Sequence, residues 1–132
     1  MSVSIVGTWA LVRAASEGGD GQALPAPYGG EKAMGRVTFN ADGRMMAVLC
    51  DGRPSLPDGA VREYNSYCGN YVFDGKQLIT KVDAAASATR VGSDQVRDVT
   101  TEGDLMVLRP PRRAYGERVE QRTLWWRKIS DV

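Results

Sequence analysis

The sequence predicts a single all-β domain over residues 1–132, an eight-stranded antiparallel up-and-down barrel with little helix. Three observations point there. Short runs rich in Val, Leu, Thr and aromatic residues recur along the chain, several with the period-two alternation of half-buried strands. Tight-turn sequences join some of these runs: Asn40-Ala41-Asp42-Gly43, Asp74-Gly75 and Glu102-Gly103-Asp104. Asp supports such a turn and Gly takes the positive φ that it needs. The tight turns also alternate with long connections along the whole chain.

The first strand covers residues 6–15, opens on Gly7-Thr8-Trp9 and is rich in Val, Leu and Trp. Residues 17–33 follow as a loop, because Gly18-Gly19, Pro25, Pro27 and Gly29-Gly30 do not sustain a strand or helix. The second and third strands, 34–40 and 44–50, form a hairpin with Val37, Phe39, Met45, Ala47 and Leu49 on one face. Residues 51–59 carry Pro54, Pro57 and two glycines and read as loop, with a helical turn expected over 60–66. The fourth and fifth strands, 67–73 and 76–83, make a second hairpin and place Leu78, Thr80 and Val82 on a common face. A small-residue loop, 84–93, leads to the sixth strand, 94–101, and the seventh, 105–109, which Pro110 and Pro111 stop. A polar loop to residue 121 precedes the eighth strand, 122–129.

Consecutive connections of an up-and-down barrel lie at opposite ends. The four long loops therefore gather at one end, the mouth, and the three hairpins at the other, the floor. Closure removes exposed edges and leaves room for one small ligand. Trp9 then belongs near the floor, within reach of Arg127 or Lys128 at the end of the last strand. A cation over its indole would stabilise closure by about 0.5–2 kcal/mol.

Several function classes fall away on composition. The formal net charge is +1, with no long run of one sign, so no nucleic-acid partner is expected. Arg109, Arg112, Arg113, Arg118 and Arg122 cluster, but Glu117 and Glu120 are mixed among them, which favours a solvated loop over a phosphate site. No apolar run approaches the roughly 20 residues of a membrane helix. Residues 1–6 do not read as a signal peptide. A soluble, cytoplasmic chain without a membrane partner is expected. Cys50 and Cys68 are then expected as thiols packed like small hydrophobes, a disulfide being the less favoured alternative. The chain contains no histidine, which excludes Ser-His-Asp and Cys-His catalysis and His-ligated metal or haem. Metal-ligand spacing, a phosphate loop and a dinucleotide fingerprint are all missing from the sequence, so neither a metal nor a cofactor is expected. Association of copies into a homo-oligomer is left open.

From Gly7-Thr8-Trp9 onwards the chain resembles the bacterial and fungal lipocalin-like domain family, within the calycin-type barrels. The matching pieces are residues 6–12, then the stretch from Gly35 to Asp42-Gly43-Arg44-Met45, then Tyr67-Cys68-Gly69-Asn70-Tyr71. They continue with Gln95-Val96-Arg97, Gly103-Asp104-Leu105 and Leu124-Trp125-Trp126-Arg127. The resemblance implies an eight-stranded barrel with a central cavity. It also implies a setting such as secondary metabolism, where lipocalin-like barrels bind or cyclise reactive intermediates. One departure matters: the family often carries histidine on the strand matching residues 78–82, where this chain has Thr80 and Lys81. An activity that depends on that histidine is not shared by the same means.

The interior chemistry is read from alternation. Tyr67, Gly69 and Tyr71 share a face, and Gly69 leaves space between two rings or allows a bend. The phenols could donate to a ligand carbonyl, or the rings could simply fill a core. Gln95, Arg97 and Val99 share a face of the sixth strand. Placing Val99 inside and Asp98 outside turns Arg97 inward, where it needs a carboxylate, phenolate, carbonyl or ligand anion. Turned outward, Arg97 would pair with an acid such as Asp98 or Asp104. Phe39, Met45, Leu78, Val82, Leu105, Val107, Leu124 and Trp126 are expected to complete an apolar wall. Tyr28 and Tyr115, in long loops, are lid candidates or loop anchors. Asp83, Asp94, Asp98, Glu102 and Asp104 fall in turns or outward positions and make no acid–base pair.

The leading expectation is a container for a small, largely apolar molecule bearing a carbonyl or anionic group. Its ligand-binding residues are expected to be Phe39, Met45, Tyr67, Tyr71, Thr80, Gln95, Arg97 and Trp126, with Tyr28 above them. The alternative is a cofactor-free isomerase or cyclase of a polyketide-like or terpenoid intermediate. In that case Tyr67 and Arg97 would be catalytic, donating to a developing oxyanion. A barrel with a filled interior and a structural role is the third reading.

Overall fold

A computed structural model describes residues 4–111, 113–115 and 118–131, with the backbone alone for 113–115 and 118–119. These residues form ten strands: β1 (Gly7–Gly18), β2 (Ala23–Leu24), β3 (Ala33–Phe39), β4 (Arg44–Asp51), β5 (Tyr64–Phe73), β6 (Gln77–Ala85), β7 (Asp94–Glu102), β8 (Leu105–Arg109), β9 (Arg113–Tyr115) and β10 (Arg118–Ser130). Two 3-10 turns, Pro27–Lys32 and Ala88–Arg90, sit in the long connections. Eight strands run β1-β3-β4-β5-β6-β7-β8-β10, each antiparallel to its neighbour, and β1 pairs with β10 to close the barrel. The short β2 and β9 extend the wall beside β1 and β10. Among the described residues no helix is long and apolar enough to cross a membrane.

The turns form for the reasons the sequence supplies. Asp42 Oδ1 accepts the Arg44 N–H at 3.0 Å, and Gly43 has φ +92°. Asp74 Oδ1 accepts the N–H groups of Lys76 and Gln77 at 2.9 and 2.7 Å, and Gly75 has φ +99°. Gly69 allows a close approach of chains: a Cβ there would stand 1.9 Å from the Lys81 carbonyl oxygen. It lies where the β5–β6 register shifts after Cys68. The bend is thus the role Gly69 takes.

Several expectations change. The 60–66 segment is not a helical turn: β5 begins at Tyr64, and the Asp51 N–H already bonds Glu63 O at 2.9 Å. The last strand begins at Arg118 and not at residue 122, because residues 113–115 pair with its first residues. In β8 the inward residues are Met106 and Leu108, in place of Leu105 and Val107. Met106 opposes Trp126 and Leu108 opposes Leu124, and all four join the core. Val107 opposes Trp125 on the outer face, where both are buried by neighbours. Cys50 and Cys68 are free and half-buried on the outer face, paired across strands with Met34 and Met46.

The barrel is filled over its floor half. Trp9, Phe39, Met45, Ala47, Leu78, Thr80, Val82 and Met106 are each at most 3 % exposed. Burying large apolar side chains of this kind stabilises a fold by about 1.5–3 kcal/mol each. The long connections β1–β3, β4–β5, β6–β7 and β8–β10 all lie at the opposite end. That end is open.

Candidate functional site

A cavity of about 650 Å³ opens at the mouth. The size suits a small molecule. Its wall is apolar where Leu108 of β8 and Leu124 and Trp126 of β10 contribute side chains, and polar along β5, β7, the loop before β7 and the start of β10, which adds Glu120 and Arg122.

Of the residues expected at the site, the structure brings Tyr28, Tyr67, Gln95, Arg97 and Trp126 together on this cavity. Phe39, Met45, Tyr71 and Thr80 do not line it. Phe39 and Met45 flank the Asn40–Gly43 hairpin, so alternation turns them inward but at the floor. Tyr71 stacks edge-on against Phe39 at 5.2 Å between ring centres, and its hydroxyl donates to Asn40 O at 2.7 Å. Burial, then the nearby Asp42 charge, raises the pKa of this phenol. Thr80, 1 % exposed, is packed beside Gln95 across the β6–β7 ladder. Tyr115, Arg112, Arg113, Arg118 and Glu117 were also singled out, but their side chains lie outside the described residues.

Arg97 turns inward, as the Val99/Asp98 phase requires. Its guanidinium donates to Val96 O at 2.9 Å and to Gln95 Oε1, so the acceptors include a backbone carbonyl and a buried amide. Trp126 is 2 % exposed, and its Nε1 finds no acceptor among the described residues. A buried donor left unpaired costs about 1–3 kcal/mol. Its ring nevertheless forms part of the cavity wall.

Tyr28 lines the cavity from the β1–β3 connection and carries an unusual backbone. Its φ is +55°, the left-handed region, and it is the one non-glycine residue there among those described. Such a conformation costs roughly 1–2 kcal/mol for a side-chain-bearing residue. Several contacts hold it. The Tyr28 N–H donates to Glu63 Oε1 at 2.8 Å. Gly29, at φ +80°, packs so tightly on Asp51 that a Cβ would stand 2.5 Å from Oδ1. Burial raises the Tyr28 phenol pKa, and Glu63 adds to the rise, while a hydrogen bond with Asn65 opposes it.

Sequence reasoning missed Glu63, Glu120, Arg122 and Arg90 as cavity residues. Arg122 bridges two acids: Nε donates to the buried Glu120 Oε1 at 3.0 Å, and Nη1 lies 3.5 Å from Glu63 Oε2. Alternation inward from Leu124 and Trp126 reaches Arg122 at the start of the expected strand 122–129, and would have reached Glu120 had that strand been extended back to Arg118. Asp51, 1 % exposed, pairs with Arg53, and the Arg62 guanidinium caps both backbones through Asp51 O and Arg53 O at 2.7 and 2.8 Å. These charges tie the mouth loops to the barrel rim.

A closed antiparallel barrel packed at one end and hollow at the other is the architecture of small ligand carriers of the calycin type. The family model of the lipocalin-like domain matches residues 6–129, and the chain belongs to that family. Searches of curated proteins and of solved structures returned no match. The fold suggests small-molecule binding.

Proposed function

We propose that the protein holds a small molecule with an apolar body and a carbonyl or anionic group in the mouth-side cavity. The observation that carries this is the division of the cavity wall. Leu108, Leu124 and Trp126 offer an apolar surface, and Tyr67, Gln95 and Arg97 face it with hydrogen-bonding groups. A site of this size, apolar with a few placed polar groups, fits one small ligand. A cytoplasmic setting and a place in secondary metabolism belong to the same proposal. The free thiols of Cys50 and Cys68 support the first, and the family likeness supports the second.

The test is native mass spectrometry on protein purified gently from the cells that make it, followed by titration with N-phenyl-1-naphthylamine. A small-molecule adduct, or saturable one-to-one dye binding, supports the container. Neither adduct nor saturable binding would favour a structural barrel.

An isomerase or cyclase acting on a reactive intermediate is the second reading. It is supported by Tyr67 and Arg97 sharing one cavity, where both could donate to a developing oxyanion. Conversion of a bound intermediate that Tyr67→Phe and Arg97→Gln both slow would favour it over simple carriage.

A further inference from the structure

Among the described residues three arginines line the cavity, and they are not equivalent. Arg122 is shared between Glu120 and Glu63. Arg97 is bound by Gln95 and Val96. Arg90 sits in the 3-10 turn of the β6–β7 connection, with its guanidinium 6.0 Å from the centre of the Tyr67 ring. No carboxylate of the described residues is within ion-pair distance of it.

The turn that presents Arg90 is fixed in place. The Arg90 N–H bonds Ser87 O at 3.1 Å, and the Ser93 N–H bonds Arg90 O at 2.9 Å. Gly92 N–H to Val82 O at 2.8 Å and Val82 N–H to Ser93 O at 3.0 Å pin the turn to β6. A half-buried guanidinium on a braced turn, steadied over an aromatic face, keeps its fork of donors ready for an anion. Because it is still partly hydrated, it needs no internal counter-charge before ligand arrives.

We infer that Arg90 is the anion-recognition residue of the cavity, receiving the carboxylate or sulfonate of an amphiphile whose apolar body lies against Leu108, Leu124 and Trp126. This rests on the container reading above and adds to it an orientation and a ligand class. The charged end sits at the 86–93 loop and the apolar end points down β10. Tyr67 takes part as the surface on which Arg90 rests.

The experiment compares two fluorescent probes on the full chain. One is 8-anilinonaphthalene-1-sulfonate, and the other is N-phenyl-1-naphthylamine, the same ring system without the sulfonate. Arg90→Gln should weaken the sulfonate probe by about tenfold or more and leave the neutral probe within about twofold. Arg90→Lys should recover part of the loss, since charge returns without the planar fork. On the unmodified protein, raising NaCl from about 20 to about 500 mM should erode the sulfonate probe's advantage and spare the neutral probe. This arm does not depend on any variant folding. Sulfonate binding within twofold of the parent in Arg90→Gln, with normal neutral-probe binding, overturns the role of Arg90 while the container stands. An equal loss of both probes also overturns it, as Arg90 would then only prop the wall. If the unmodified protein binds neither probe, the container reading fails and takes this inference with it.

Discussion

The ammonium of Lys128 lies 5.5 Å from the centre of the Trp9 ring, at the floor of the barrel. Trp9 stands in β1 and Lys128 opposite it in β10, so this contact crosses the seam where the first and last strands meet. The Trp9 Nε1 donates to Ile5 O at 3.0 Å, which leaves no donor for a ligand. Trp9 is therefore a closure residue.

Trp9→Ala should lower stability by about 3–5 kcal/mol, the usual cost of removing a large core aromatic. Urea unfolding followed by circular dichroism measures it. The folded fraction should keep its affinity for N-phenyl-1-naphthylamine, because Trp9 does not line the cavity. A variant that folds normally and loses the probe would invert the assignment of floor and mouth.

A second cation–indole contact lies outside the barrel. The Arg13 guanidinium is 3.6 Å from the centre of the Trp125 ring, whose Nε1 donates to Glu102 Oε2 at 2.6 Å. Together they cover an aromatic on the solvent side of β10. Arg13→Ala should cost about 1–2 kcal/mol and shift tryptophan emission to longer wavelength as Trp125 becomes wet. Arg13→Met, which keeps the stem but not the charge, should recover part of the stability. An unchanged midpoint and spectrum in Arg13→Ala would show that the stacking contributes nothing.

The Arg13 contact also shows what the sequence leaves unreadable. The register between β1 and β10 shifts between Leu11 and Arg13, so Val12 is an extra residue. Leu11 and Ala14 are in the core, and Arg13 is turned out. Nothing in Ala10-Leu11-Val12-Arg13-Ala14-Ala15 announces that slip, because the stretch does not alternate. The same holds for Leu105-Met106-Val107-Leu108, four apolar residues whose phase only pairing with Trp126 and Leu124 decides. Where alternation was clean, as at Phe39, Met45, Leu78 and Arg97, direction was legible. Height was legible in principle: Phe39 and Met45 adjoin a hairpin and so belong to the floor. Arg90 gave no signal at all, since it comes from a loop without periodicity.

The mouth should respond to acid. Hydrogen bonds from Arg53, the largest influence, hold the Asp51 carboxyl below its ordinary 3.8, while burial opposes them with less weight. A depressed folded-state pKa means that the ion pair stabilises fully above the ordinary value. The contribution disappears as pH falls through the lower folded value. The difference in urea midpoint between the parent and Asp51→Asn should therefore be largest near neutrality and shrink below about pH 4. A difference that does not change from neutral pH down to pH 3 would remove Asp51 from the acid response.

Tyr67 and Tyr71 lie four residues apart on one inward face, with Gly69 between them, and the structure separates their roles. The Tyr71 hydroxyl is committed to Asn40 O at the floor, whereas Tyr67 lines the cavity and makes no hydrogen bond through its hydroxyl among the described residues. Tyr71→Phe should cost about 0.5–1.5 kcal/mol by leaving the Asn40 carbonyl without this donor, with no effect on cavity binding. Tyr67→Phe should leave the unfolding midpoint unchanged. If Tyr67 donates to a ligand carbonyl, the same change should reduce the preference for 1-acetylnaphthalene over 1-ethylnaphthalene by about three- to tenfold. Isothermal titration of both compounds against both variants separates the cases. Loss of the ketone preference in Tyr71→Phe but not in Tyr67→Phe would mean that the ligand sits in the packed half of the barrel, against the division between floor and mouth.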